Sequence, residues 1–178
     1  MGDIVKLPDG SLIEDPFDDR RNYSGYVMAP VNNLKEVAQA GREDGEQYRA
    51  QVADPSTASD AEAFKAAALF ASVGTGGKFD TQREGNQPLG VLGLTKFVQH
   101  RQFLPSANIN VGVYGQQFGL TLEETLTLAG LWARIRSSNY DPNTPYGLKP
   151  RTEYFIRKGY EIGQSGQFDS KAPQTKQP

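Results

Sequence analysis

The apolar positions of this chain fall into short fragments near its start and then into longer stretches at helical spacing. In residues 1–31 apolar pairs alternate with turn signals. Leu7-Pro8-Asp9-Gly10-Ser11-Leu12-Ile13 sets a tight-turn tripeptide between two strand-like fragments, which predicts a small hairpin or ordered arm. Asn33 begins a helix: Glu36 follows three residues later, as a capping box requires, and Leu34, Val37 and Ala38 mark an apolar face. Gly41 and Gly45 weaken the middle of that helix. Pro55 to Ser59 is a break, after which Ser59 and Glu62 repeat the capping pattern and Phe64, Ala67, Ala68 and Ala71 recur on one helix face. Gly74, Gly76 and Gly77 end this second helix, and Arg83 to Pro88 continues as a polar loop.

Residues 89–104 mix glycine with apolar residues and read as a helix, whereas Pro105 to Gly119 carries small and amide residues of the kind that face backbone or ligand. Thr121 and Glu124 form a third capping pair. The helix they open has two apolar stripes, Leu122, Leu126, Ala129 and Ala133, and Leu128, Leu131, Trp132 and Ile135. It is therefore predicted to be the central helix, buried on more than one side. Asn139 to Pro150 is a proline-containing loop, with Pro150 in the first turn of a last helix that reaches Gly163. The predicted architecture is mainly α: an arm or hairpin over 1–31, one globular helical domain over 32–163 built on a central buried helix, and a frayed polar tail over 164–178.

Composition narrows the chemistry. The chain has 178 residues, 37% hydrophobic and 22% charged, enough to bury a core without staples. It has no cysteine, which removes disulfides, thiol nucleophiles and cysteine-ligated metals, and one histidine, His100, which removes any site needing two. A net charge of −2 and a pI near 5.5 give no broad footprint for nucleic acid. No signal-peptide pattern and no long apolar run are present, so a chain made in the cytoplasm is expected. Neither a cofactor nor a metal is expected.

Gly74-Thr75-Gly76-Gly77 lacks the lysine–serine pair of a phosphate loop and follows a helix rather than a strand, and the glycines of Gly112-Val113-Tyr114-Gly115 fit close helix packing. His100, beside Arg101 and Lys96, reads as a solvated or capping residue. Carboxylates remain the available acids and bases, since glycoside hydrolysis needs only two of them across a cleft. Glu123 and Glu124 sit where they complement a helix dipole. Asp80 stands in a glycine-flanked loop between apolar residues, where it is either a placed functional group or a turn cap. The Arg134/Arg136 pair and the group Arg151, Arg157 and Lys158, which shares the last helix with Glu153 and Glu161, could bind phosphate but read as solvent-facing ion pairs.

Three separated segments form an ordered pattern: Leu69 to Gly85 with its glycine pair and Phe79-Asp80 turn; Asn108-Ile109-Asn110-Val111-Gly112-Val113-Tyr114-Gly115 with the following Leu126 to Gly130; and Tyr146-Gly147-Leu148-Lys149-Pro150-Arg151 with Lys158-Gly159-Tyr160. In order and spacing this stretch, about Leu34 to Gly163, resembles the bacterial polymorphic toxin domain of type 44. Five positions depart from that pattern. Leu148-Lys149 stands for an acidic pair, Gln82 for a lysine, and Ile109 and Val111 for aromatics. The resemblance implies an antibacterial effector delivered into a target bacterium by a secretion apparatus or delivery protein, with a cognate immunity protein as partner. Carried over position by position, it makes Asp80, Asn110 and Tyr146 the catalytic candidates and Asn108, Tyr114 and Arg151 the substrate contacts, converging on one cleft. A hydrolase of the cell envelope, peptidoglycan in the first place, fits the acidic pI and the missing thiol and second histidine. The alternatives are a nuclease-type toxin, or a non-enzymatic membrane-acting or apparatus protein.

Overall fold

The computed structural model describes residues 5–6, 12–13, 16–17, 32–83, 87–89, 94–96, 103–136 and 139–168. Its long elements are helices: α1 (Leu34–Ala53), α2 (Ala61–Val73), α3 (Leu104–Phe118), α4 (Leu122–Arg136) and α5 (Pro150–Gln164). Two short antiparallel ribbons join them, β1 (Val5–Lys6) with β2 (Leu12–Ile13), and β3 (Gln87–Leu89) with β4 (Leu94–Lys96). The chain is mainly α, and the first ribbon pairs the two strand-like fragments predicted from the sequence, the Pro8-Asp9-Gly10 segment between them lying outside the described residues.

The central helix is α3, not α4. Ile109, Val113 and Tyr114 are fully buried and Phe118 nearly so, and α3 packs against α1, α2, α4 and α5. Each of those side chains contributes about 1.5–3 kcal/mol of burial. On α4, by contrast, Leu126 and Ala133 are buried while Leu131 and Ile135 are 54% and 69% exposed. The expectation failed for a physical reason. The small and amide residues that made α3 look irregular let it approach its neighbours closely, and its asparagines are satisfied internally. Asn108 donates Nδ2–H to the Leu104 carbonyl at 2.9 Å, one turn back along the same helix. Glycines set the closest contacts between α3 and α5. A Cβ at Gly112 would lie 2.1 Å from the Ile156 carbonyl oxygen of α5, and one at Gly159 would lie 2.1 Å from the Ile109 carbonyl oxygen of α3. The glycines of α1 act in the same way: Gly41 and Gly45 are buried against the Tyr114 and Phe118 backbones rather than being weak points of the helix.

Helix starts follow the caps only in part. Asn33 caps α1 by accepting from the Glu36 N–H at 3.4 Å, but the Glu36 side chain turns to Lys78 (2.8 Å) instead of closing the box. Asp60, not Ser59, precedes α2, and no side chain caps it. Thr121 and Glu124 form the complete reciprocal box, and Pro150 opens α5 as predicted.

Residues 89–104 are not one helix, since β3 ends at Leu89, β4 spans Leu94–Lys96 and α3 begins only at Leu104. Pro88, Gly90 and Gly93 divide the stretch into pieces too short to nucleate a helix. His100 lies outside the described residues. At the far end the predicted fraying gives way to packing as far as Phe168, which is buried and whose carbonyl accepts from Arg42 Nη1 at 3.0 Å. Ile13 of the first ribbon also joins the main core.

Candidate functional site

The chain forms a cleft of about 230 Å³ between α2 and α4, with α3 and α5 beneath. Leu69, Phe70 and Val73 form one wall and Leu128, Leu131, Trp132 and Ile135 the other, while the floor holds Asp80, Gln82, Asn108, Thr125 and Thr152. The gradient is clear from exposure. The floor residues are all buried, and Phe70, Leu131 and Ile135 at the rim are exposed. Across the rim the Phe70 and Trp132 rings meet edge to face at 4.4 Å, and Trp132 Nε1–H donates to Thr75 Oγ1 at 3.1 Å.

Local backbone geometry puts Asp80 on this floor. Gly74 ends α2, and Gly76 takes a left-handed φ of 80°, which lets the chain double back. Lys78 and Phe79 N–H then donate to the Ala71 and Ser72 carbonyls at the helix end, both at 2.8 Å. Phe79 is buried in the core and anchors the turn. The Asp80 carboxyl accepts from Gly76 N–H at 2.7 Å, so it closes its own loop as well as lining the cleft.

Of the six residues selected from the sequence, Asp80 and Asn108 come together in the cleft and the other four do not line it. Asn110 is fully buried and structural: Nδ2–H donates to the Phe79 carbonyl at 2.9 Å and Oδ1 accepts from Asn32 Nδ2 at 3.0 Å, which ties α3 to the Asp80 turn. Tyr114 faces α1, where its hydroxyl donates to the Asp44 carboxylate. Burial and that carboxylate push the phenol far above its ordinary value, which excludes it as a base near neutral pH. Tyr146 stacks under the Arg157 guanidinium at 5.8 Å and its carbonyl presses on Gly130 of α4. Arg151 is half-buried on the first turn of α5, away from the cleft lining.

Sequence reasoning missed Gln82, Thr125, Trp132 and Thr152. The stripe Leu128, Leu131, Trp132 and Ile135 was a usable signal, because an apolar face that the core does not cover must line something else. Asp80 is the sole ionisable group among the described lining residues. The floor can therefore move one proton and offer amide and hydroxyl hydrogen bonds, but it does not hold the carboxyl pair that glycoside hydrolysis uses. Among the described residues there is no cluster of three metal-ligating side chains, and no helix is long and apolar enough to cross a membrane. In comparisons with known proteins, no family model, curated protein or solved structure matches the chain.

Proposed function

We propose that this chain is an antibacterial effector domain of the polymorphic-toxin kind, and that it acts as a hydrolase on a cell-envelope substrate bound in the α2–α4 cleft. The observation that carries the reading is that buried Asp80, Asn108 and Gln82 line one cleft with largely apolar walls, the default form of a ligand site. In this reading Asp80 takes a proton from a water that attacks the substrate carbonyl and returns it to the leaving group, while the amides orient that carbonyl. Leu148, which stands where the resemblance expects an acid, is a buried lining residue of the same cleft. Its apolar side chain moves the proposal from glycosidic bonds toward amide or ester bonds of the envelope. Asn110 and Tyr114 become supports of the fold in this scheme, and an immunity protein would act by covering the cleft mouth.

The apolar walls also favour a second reading, a binding protein without chemistry. Growth of a bacterial host separates the two. The chain and its Asp80→Asn variant are expressed in the cytoplasm and, separately, exported to the periplasm. Killing on export alone, abolished by Asp80→Asn, is the expected result. Killing confined to the cytoplasm would redirect the reading to nucleic acid or nucleotides, and killing that survives Asp80→Asn would remove the proposed acid–base role.

A further inference from the structure

The cleft between α2 and α4 carries apolar side chains at every depth. Half-buried Leu69, Val73 and Leu128 line its walls, and buried Ala107, Leu148 and Ile156 line it further in. Its polar side chains are turned largely to the chain's own groups. Asn108 donates to the Leu104 carbonyl at 2.9 Å, Thr125 Oγ1 donates to the Thr121 carbonyl at 2.9 Å, and the Asp80 carboxyl accepts from Gly76 N–H at 2.7 Å. Trp132 donates its indole N–H to Thr75 at 3.1 Å. Groups so engaged offer little to a polar ligand, and a water needs about two to four polar partners to settle in a cavity. An apolar occupant suits this lining best. Shape narrows the class further. The Phe70 and Trp132 rings touch across the mouth, with centroids 4.4 Å apart, so the two walls are joined there and no partner helix can seat itself between α2 and α4. A ligand sits beneath the pair. An apolar cavity of about 150 Å³ takes one benzene ring. At about 230 Å³ this cleft has room for a ring with a short alkyl tail.

We infer that the cleft binds a small uncharged apolar group, a single ring or a chain of comparable volume, beneath the Phe70 and Trp132 rings. The inference rests on the cleft being the working site and serves either reading of the function: the group is the apolar part of a substrate, or a ligand held without chemistry. The probe is n-butylbenzene, titrated against the full chain while the emission of Trp132, the only tryptophan, is followed. A saturable change is expected, with Tm rising as the probe is added. Ala129→Leu on α4 and Val111→Phe on α3 fill the cleft from two sides. Each should weaken binding on the order of tenfold or more while circular dichroism stays unchanged, and if one variant does not fold the other carries the comparison. No saturable response in the parent chain would overturn the inference. So would an undiminished response in a folded, filled variant, which would put the probe on the exposed rim of Phe70, Leu131 and Ile135 instead. Binding as described in a chain that kills in neither compartment would refute the effector reading alone, and killing without binding would refute this inference alone.

Discussion

Replacing Gly112 by alanine tests the claim that α3 and α5 are held at backbone contact. The added Cβ would stand 2.1 Å from the Ile156 carbonyl oxygen and 2.5 Å from the Tyr160 nitrogen. Both are main-chain atoms of a helix, so neither can rotate aside, and relief requires the two axes to separate by on the order of 1 Å before ordinary contact distances return. Overpacking of this kind costs about 1–3 kcal/mol, and rigid neighbours put this site at the upper end. Alanine returns about 1 kcal/mol through its better helix propensity. The net expectation is a loss of about 2 kcal/mol, which for a chain of this size lowers Tm by roughly 4–8 °C. Thermal melts followed by far-ultraviolet circular dichroism measure it, with Thr127→Ala on the exposed face of α4 as a control for propensity alone. Gly159→Ala strikes the same crossing from the other side, against the Ile109 carbonyl. Once one alanine has parted the helices the second meets less resistance, so the double variant should lose less than the sum. An unchanged or higher Tm for Gly112→Ala would refute the close-contact argument.

Three further outcomes follow from the hydrogen bonds. Asn110→Leu leaves the buried Phe79 carbonyl without its Asn110 donor and takes one of two acceptors from the Asn32 amide, which keeps Ser106 Oγ; a loss of about 2 kcal/mol in urea unfolding is expected. Thr121→Ala removes the cap of α4 and should cost about 1 kcal/mol by the same measurement. Thr121 also sets a pH dependence, because its backbone N–H and hydroxyl donate to the Glu124 carboxylate and hold it below the ordinary value of 4.5. The carboxylate is thus favoured by folding. Its contribution is complete above pH 4.5 and fades as the pH falls through the lowered folded value, so Tm of the parent chain should drop more steeply under acid than that of Glu124→Gln.

The sequence by itself determined the helical class, the reciprocal cap of α4, the proline start of α5 and the pairing of β1 with β2, because each rests on contacts within a few residues. It also singled out Asp80, whose glycine-rich loop is a local device. Burial was a different matter. Composition favoured the leucine-rich α4 as the core helix, but the glycines of α3 admit its neighbours more closely than any leucine could, and only the assembled helices reveal that. The remaining candidates scattered for a related reason. Asn108 lies on the face of α3 opposite Asn110 and Tyr114, which are one turn apart, so a linear motif sends the first to the cleft and the other two to the Phe79 carbonyl and to Asp44 on α1. The sequence could place residues on a helix; which neighbour each face meets was decided by the tertiary packing alone.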